Sequence, residues 1–298
     1  MTTSGLARPD ALVEPEWVAA RLDDPTLRVF DCTTYLHPDP QTVFRVESGH
    51  ARWAEGHVPG SDHLDLQGEL SDRSSPFRFT MPSAQQFAEA MSTHGVGEGA
   101  QVVLYSAVTP QWATRIWWML RAFGFDRAAV MNGGWERWVA EGRPVSTAAC
   151  RYPPARFVAR PRPEAIATKD EVRAAMADAG TRTLNALSEK QHTGESGVHY
   201  GRPGRIPGSG CVPGVSLLQP GTTTYRPPAE LRAILDAAGA APDRKVITYC
   251  GGGIAASSVA FVLTLLGHPR VALYDGSLSE WVADPTLPMD VGPMSKTS

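Results

Sequence analysis

The sequence contains few cysteines, and their spacing excludes the common cysteine-based structural sites. Only four occur among 298 residues, namely Cys32, Cys150, Cys211 and Cys250. No two of them have the C-x-x-C spacing of a zinc or dithiol site, so we expect no bound metal. A chain of this length can bury a core of ordinary size and does not depend on a disulfide framework.

The sequence also lacks a strong charge bias and a long hydrophobic run. Its net charge of −3 gives no overall attraction for nucleic acid or for an anionic membrane. No stretch reaches the length of a membrane span, and the first residues lack the basic-then-apolar pattern of a signal peptide. With 42% hydrophobic and 20% charged residues, the composition is typical of a folded protein, which we expect to be cytoplasmic.

The most informative stretch that the sequence does contain is a glycine-rich loop between a predicted strand, 245–249, and a predicted helix, 255–266. Unsatisfied N–H groups at a helix N-terminus favour a thiolate over a thiol, and consecutive glycines let the backbone curve into a nest of donors. The pattern therefore predicts a catalytic cysteine, whereas the other three cysteines are packing or loop residues. The loop comprises Cys250, Gly251, Gly252, Gly253, Ile254, Ala255 and Ala256.

The two halves of the chain carry the same signals in the same order, which indicates a duplicated domain. Short apolar strands alternate with helical segments, a pattern typical of an α/β fold with mainly parallel sheets and helices on both faces. Because a proline-rich stretch separates the halves, we predict an N-terminal domain at 1–143, a linker at 144–166 and a C-terminal domain at 167–298. The matching segments are the predicted strands 27–31 with 181–185, the turns 56–60 with 204–208, the segments 102–106 with 246–250 that each precede a helix, and 131–138 with 274–281.

Five short motifs along the chain point to a known family. They are Gly-His-Val-Pro-Gly at 56–60, Ala-Thr-Arg at 113–115, Asn-Gly-Gly-Trp at 132–135, the Cys250 loop, and Asp-Gly-Ser at 275–277. Together they resemble the tandem-domain rhodanese family of thiosulfate and 3-mercaptopyruvate sulfurtransferases. The resemblance implies two rhodanese-like domains, the C-terminal one catalytic and the N-terminal one inactive, with Ser106 at the position of Cys250. We also interpret Arg115 as a residue that ties the domains together.

The resemblance implies a sulfur transfer that needs no metal and no organic cofactor. The Cys250 thiolate attacks the outer sulfur of an anionic donor, thiosulfate or 3-mercaptopyruvate, and becomes a persulfide. The N–H groups of the loop stabilise this anion electrostatically. The sulfur then passes to cyanide or to a thiol such as thioredoxin, and we expect the protein to act as a monomer.

The chain departs from the family at the residues that bind the donor. Asn-Ala-Leu at 185–187 stands where relatives usually carry Asp-x-Arg, so Leu187 replaces an arginine that helps to bind the anion. Thiosulfate-specific relatives have basic residues directly after the cysteine, whereas this chain has glycines. The mercaptopyruvate relatives have hydroxyl-bearing residues at the positions of Gly252 and Ala255. The preferred donor therefore stays open between the two.

Three basic residues close in sequence are candidates for the missing cation. Arg202 and Arg205 lie on a glycine-rich loop, and His192 precedes them. Because guanidinium groups suit sulfonate and carboxylate oxygens, we predict that at least one of these residues binds the donor. The run Asp-Arg-Ser-Ser at 72–75 resembles one in the mercaptopyruvate relatives and is a candidate for the domain cleft.

Two other functions are compatible with parts of the pattern. A phosphatase or arsenate reductase of related fold needs a longer loop closed by an arginine, whereas Ala256 and Ser257 stand at the closing positions here. A non-catalytic module for protein binding, sulfur carriage or regulation is the main alternative, because many rhodanese-like domains have lost the cysteine. Retention of Cys250 favours the enzyme.

Overall fold

The computed structural model describes residues 5–39, 43–196 and 198–293, and within these ranges the chain forms two parallel sheets of five strands and one two-stranded hairpin. Helices pack against both parallel sheets, so the predicted α/β class with two domains is confirmed. Among the helices of the described ranges, none is long and apolar enough to cross a membrane.

Strands and helices alternate through the N-terminal domain. Its strands are β1 (Leu12–Val13), β2 (Leu27–Asp31), β3 (Thr34–Asp39), β4 (Val43–Ser48), β5 (Asp62–His63), β6 (Gln101–Tyr105) and β7 (Ala128–Met131). Its helices are α1 (Pro15–Ala19), α2 (His50–Glu55), α3 (Ala84–Thr93), α4 (Gln111–Ala122) and α5 (Gly134–Ala140). The parallel sheet has the order β1-β7-β6-β2-β5, and β3 pairs with β4 in an antiparallel hairpin.

In its described residues, the C-terminal domain repeats this arrangement without the hairpin. Its strands are β8 (Ile166–Ala167), β9 (Thr181–Asn185), β10 (Gly210–Cys211), β11 (Lys245–Tyr249) and β12 (Val271–Tyr274). Its helices are α6 (Lys169–Ala175), α7 (Glu189–Thr193), α8 (Pro228–Ala237), α9 (Ile254–Leu265) and α10 (Ser277–Trp281). The sheet order β8-β12-β11-β9-β10 is that of the N-terminal sheet, strand for strand, when β6 is matched with β11 and β2 with β9.

Alternate side chains of the central strands are buried on opposite faces of each sheet, which explains why these strands are almost wholly apolar. In β6, Val102 and Leu104 join a core that continues into the C-terminal domain. Val103 and Tyr105 point to the other face and pack with Trp138 of α5. Both faces are therefore covered by helices.

The helices that follow the two equivalent strands β6 and β11 pack against each other across the domain interface. The rings of Trp117 in α4 and Phe261 in α9 meet edge to face, with 4.8 Å between their centroids. A hydrogen bond of 3.0 Å joins the hydroxyls of Thr114 and Ser257. Because α9 lies between its own sheet and the N-terminal domain, it is buried on nearly every side.

Polar caps begin some helices, whereas α9 begins without one. The Thr168 hydroxyl accepts a hydrogen bond from the backbone N–H of Glu171, whose carboxylate accepts from the Thr168 N–H, so α6 starts with a capping box. At the start of α9 the capping residue is Gly253, which has φ +79° and offers no side chain. The first N–H groups of α9 therefore remain available for other partners.

The proline-rich stretch between the domains runs along the surface of the N-terminal domain. The Tyr152 hydroxyl donates to the Gly60 carbonyl at 2.6 Å, and the Phe157 N–H donates to the Ser92 hydroxyl at 3.0 Å. The predicted linker 144–166 differs from the structure at its end, because Ile166 is already the first residue of β8. This edge strand has two residues, so the sequence contains no periodic pattern that would predict it.

Candidate active site

Cys250 lies at the carboxyl end of β11, and three glycines separate it from the helix α9. Its side chain is almost fully buried, with 3% of its surface exposed, and it borders a cavity of about 360 Å³ between the two domains. Parallel sheets present their ligand sites at this edge of the strands. The predicted strand at 245–249 is confirmed, and the helix begins one residue before the predicted start.

The Ser277 hydroxyl fixes the backbone around Cys250. Its Oγ accepts hydrogen bonds from the N–H groups of Cys250 and Gly253, each at 3.1 Å, and donates to the Tyr274 carbonyl at 2.8 Å. Ser277 has φ +50°, a left-handed conformation that side chains rarely adopt, and the equivalent residue of the N-terminal domain is Gly134 with φ +53°. The left-handed conformation of Ser277 carries a local conformational cost, but its hydroxyl holds the loop by hydrogen bonds.

The remaining N–H groups of the loop have no acceptor within the described part of the chain. They lie around the start of α9, where the peptide dipoles favour negative charge. This arrangement suits an anion that forms on or beside Cys250. The five N–H groups belong to Gly251, Gly252, Ile254, Ala255 and Ala256.

Close packing explains two of the three glycines after Cys250. A Cβ at Gly251 would overlap the ring of Tyr200, which fills the place of any side chain there. A Cβ at Gly253, which also has positive φ, would meet the Arg115 guanidinium at 2.9 Å. Gly252 differs, because a Cβ would approach only the Arg78 carbonyl, at 3.6 Å. The ring of Tyr200 therefore leaves no room for a side chain, basic or other, directly after the cysteine.

The walls of the cavity are mainly aromatic and aliphatic, and the N-terminal domain supplies most of them. The hairpin β3–β4, the segment 76–79 and the start of α4 face the Cys250 loop across the cavity. Burial raises the pKa of Tyr200, as does the neighbouring Cys250, so its phenol stays protonated. The apolar side chains in the wall include Leu36, Phe44, Phe77, Phe79, Trp112, Leu187 and Tyr200.

Arg78 is the one charged residue among the described residues that line the cavity. It is exposed, and its guanidinium donates to the Phe44 carbonyl of the hairpin. No role for Arg78 is predicted from the sequence, although the candidate run at 72–75 ends three residues before it. Asp72 itself accepts a hydrogen bond from the Ser74 N–H at 2.8 Å and closes a turn, and it is the following residues 76–79 that reach the cavity.

The two predicted arginines are used elsewhere in the structure. Arg202 donates to the carbonyls of Leu287 at 2.8 Å and Asp284 at 3.0 Å. The buried Arg205 donates to the Gly292 carbonyl at 2.8 Å. Both guanidinium groups hold the C-terminal segment against the domain, and the structure does not bring either of them to the cavity of Cys250.

His192 also lies away from the cavity, beside the residue that replaces the family aspartate. Its Nδ1 is 3.2 Å from the Asn185 side-chain nitrogen. Burial, together with the positive charge of Arg205, lowers the pKa of His192 to about 4, so the ring is neutral and accepts this hydrogen bond. At the equivalent place in the N-terminal domain Asp31 forms an ion pair with Arg52. The C-terminal domain thus has a neutral pair where the N-terminal domain has a charged one, and the apolar Leu187 lines the cavity.

The loop of the N-terminal domain is closed by its own side chains. The Ser106 hydroxyl, at the position of Cys250, donates to the Thr109 carbonyl at 2.6 Å. The Val108 N–H donates to the Glu136 carboxylate at 2.6 Å, so an internal anion occupies this loop. No group of three or more His, Cys, Asp or Glu side chains in the described ranges is arranged to hold a metal ion.

Comparison with known proteins agrees with this geometry. A family model described as Rhodanese-like domain matches residues 14–141 and 168–284. The chain is 29% identical to thiosulfate/3-mercaptopyruvate sulfurtransferase 1 of Arabidopsis thaliana, over 97% of this chain and 80% of the relative. It is 31% identical to a sulfur carrier protein of Thermus thermophilus, over 93% of this chain and 95% of the relative. The crystal structure of a 3-mercaptopyruvate sulfotransferase from Escherichia coli superposes with a TM-score of 0.78 at 29% identity, covering 89% of this chain and 98% of that one.

Proposed function

This chain belongs to the rhodanese family of sulfurtransferases, and we propose that it moves a sulfane sulfur from an anionic donor to a thiophilic acceptor through a persulfide on Cys250. The observation that carries the proposal is the place of Cys250, beside a cavity and at the start of α9, where five loop N–H groups have no acceptor within the described chain. The proposal retains the expectation of a cytoplasmic monomer without a cofactor.

In the first step the Cys250 thiolate attacks the outer sulfur of the donor. With thiosulfate, the sulfur–sulfur bond breaks and sulfite leaves with the electron pair. With 3-mercaptopyruvate, the carbon–sulfur bond breaks and the pyruvate enolate leaves, to be protonated by water. The loop N–H groups stabilise the negative charge on the persulfide, because they are held in place before the reaction and need no reorganisation.

In the second step an acceptor attacks the outer sulfur of the persulfide and regenerates the Cys250 thiolate. Cyanide yields thiocyanate, and a thiol such as that of thioredoxin yields a new persulfide. The proposal assigns binding of the negatively charged donor to Arg78, because Arg202, Arg205 and His192 do not line the cavity. Arg78 lines the cavity and is exposed, so its guanidinium is accessible to a carboxylate or thiosulfate oxygen.

A sulfur carrier or non-catalytic module is the second candidate, and the similarity to a sulfur carrier protein favours it. A carrier would accept one sulfur and pass it to a protein, whereas an enzyme turns over with small donors and acceptors. The two candidates share the persulfide and differ in turnover.

Thiocyanate formation from cyanide, measured side by side with thiosulfate and with 3-mercaptopyruvate, tests the proposal. We expect multiple turnovers with at least one donor, loss of turnover in Cys250→Ser, and retained turnover in the control Cys150→Ser, because Cys150 lies in the linker. If folded wild-type protein gives no turnover with either donor, the enzyme proposal is wrong.

A further inference from the structure

We propose that the acceptor of this enzyme is an organic thiol with an apolar, aromatic body that fills the cavity beside Cys250. The inference rests on the proposed persulfide function and names the class of acceptor that the site fits. It concerns the second step alone, in which the persulfide is discharged.

The cavity is larger than cyanide or thiosulfate requires. Its volume is about 360 Å³. At the liquid-water share of about 30 Å³ for each non-hydrogen atom, cyanide occupies roughly 60 Å³ and thiosulfate roughly 150 Å³. Either molecule leaves more than half of the space unfilled, whereas substrate pockets of roughly this volume normally enclose most of their ligand.

The walls of the cavity are rich in aromatic rings. The rings of Phe79 and Trp112 meet edge to face with 5.5 Å between their centroids, and Phe44, Phe77 and Tyr200 add three further rings to the lining. Aromatic walls bind an apolar or aromatic body by burying its surface and by edge-to-face contacts. A body of this kind complements the part of the cavity that cyanide or thiosulfate leaves empty.

The charge of the cavity walls also limits which thiols the cavity can bind. In the described part of the lining Arg78 is the one charged residue, and no carboxylate is present. The ammonium group of an amino thiol would find no carboxylate in this lining and would be repelled by the Arg78 guanidinium. The site therefore favours organic thiols that carry no ammonium group.

The reaction needs no further reagent. The acceptor thiol attacks the outer sulfur of the anionic persulfide, Cys250–S–S⁻, and forms a new sulfur–sulfur bond. The bond between the two persulfide sulfurs breaks, and Cys250 leaves as a thiolate with the electron pair. The proton of the acceptor thiol passes to the transferred sulfur, so the product is R–S–SH and no oxidant or reductant is consumed.

The test uses the full chain, loaded with sulfur from thiosulfate or 3-mercaptopyruvate, freed of donor and checked by intact mass. Single-turnover discharge is then followed with phenylmethanethiol and with 2-mercaptoethanol, two thiols of closely similar acidity and different apolar bulk. We expect phenylmethanethiol to discharge the persulfide at least roughly tenfold faster at equal, subsaturating concentration, because burial of one ring in the cavity stabilises its encounter complex.

A matched pair of variants locates the preference. Phe77 lines the cavity, whereas Phe125 packs against Phe157 on the linker. Phe77→Ala is expected to lower the ratio of the two discharge rates several-fold, and Phe125→Ala to leave the ratio as in the wild type. Equal rates for the two thiols, or a ratio that Phe77→Ala does not change, would overturn the inference alone. Failure of the protein to take up sulfur from either donor would overturn the proposed function, and the inference with it.

Discussion

Arg115 of the N-terminal domain forms a buried ion pair with Asp275 of the C-terminal domain, with 2.6 Å between Nη2 of the guanidinium and Oδ1 of the carboxylate. The other carboxylate oxygen accepts a hydrogen bond from the Met81 N–H at 2.8 Å. Asp275 lies two residues before Ser277, which holds the Cys250 loop, and the same guanidinium packs against Gly253. The N-terminal domain, which has Ser106 at the position of Cys250, thus supports the Cys250 loop.

The first prediction concerns this pair. Arg115→Met is expected to lower the free energy of unfolding by about 3–5 kcal/mol, because it leaves the Asp275 carboxylate buried without its partner. Arg8→Met is the control, since Arg8 pairs with the largely exposed Asp10 and such pairs contribute at most about 1 kcal/mol. Denaturant titration of both variants measures the difference, and equal losses would contradict the role given to Arg115.

A second prediction compares neighbouring glycines of the loop. Gly251→Ala is expected to reduce sulfur transfer strongly, because the added methyl group overlaps the Tyr200 ring and one of the two must move. Gly252→Ala is expected to retain most of the activity, because its methyl group finds ordinary contact distance. Thiocyanate formation measured on both folded variants decides the point. Equal activity of the two variants would show that Tyr200 does not constrain the loop.

A third prediction assigns donor binding to Arg78 and a stabilising role to Arg202. Arg78→Ala is expected to lower kcat/KM for the donor roughly tenfold or more, since a hydrogen bond to a charged group contributes about 1.5–3 kcal/mol. Arg202→Ala is expected to lower the free energy of unfolding, because carbonyls near the C-terminus lose their donor. Steady-state kinetics and denaturant titration on both variants test this division. A donor KM that rises only in Arg202→Ala would return the cation role to Arg202.

A fourth prediction concerns pH and the charged cluster at the end of α3. Burial disfavours a charged His94, but hydrogen bonds to the carboxylates of Asp62 and Glu69 outweigh it and raise the pKa to about 9 from an ordinary 6.5. The folded pKa is the higher one, so this stabilisation is complete below pH 6.5 and is lost as the pH rises through 9. The free energy of unfolding should therefore fall more steeply between about pH 7 and 10 in the wild type than in His94→Gln. Parallel slopes would contradict the assignment.

The sequence predicts those parts of the molecule that depend on local pattern. The strands β2, β9 and β11 are confirmed at the predicted residues, and each has a glycine or proline within two residues of one end. The loop after β11 and the helix that follows it are local features of the same kind.

The composition of the cavity could not be predicted in this way. Arg78 reaches it from the other domain, so no short spacing connects it with Cys250. Arg202 and Arg205 are close to the strand end in sequence, but their direction depends on carbonyls in the segment 284–292, which is distant in sequence. The role of Ser277 is hidden for another reason, because a left-handed serine gives no signal in its amino-acid type.

Mass spectrometry of the intact protein after incubation with thiosulfate or 3-mercaptopyruvate tests the central claim most directly. The account predicts one added sulfur atom on the wild type and on Cys211→Ser, none on Cys250→Ser, and loss of the added sulfur after treatment with cyanide. Cys211 is a suitable control because burial raises the pKa of its thiol to about 12, which leaves it protonated. Uptake of sulfur by Cys250→Ser, or no uptake by the folded wild type with either donor, would contradict the claim that Cys250 carries the sulfur.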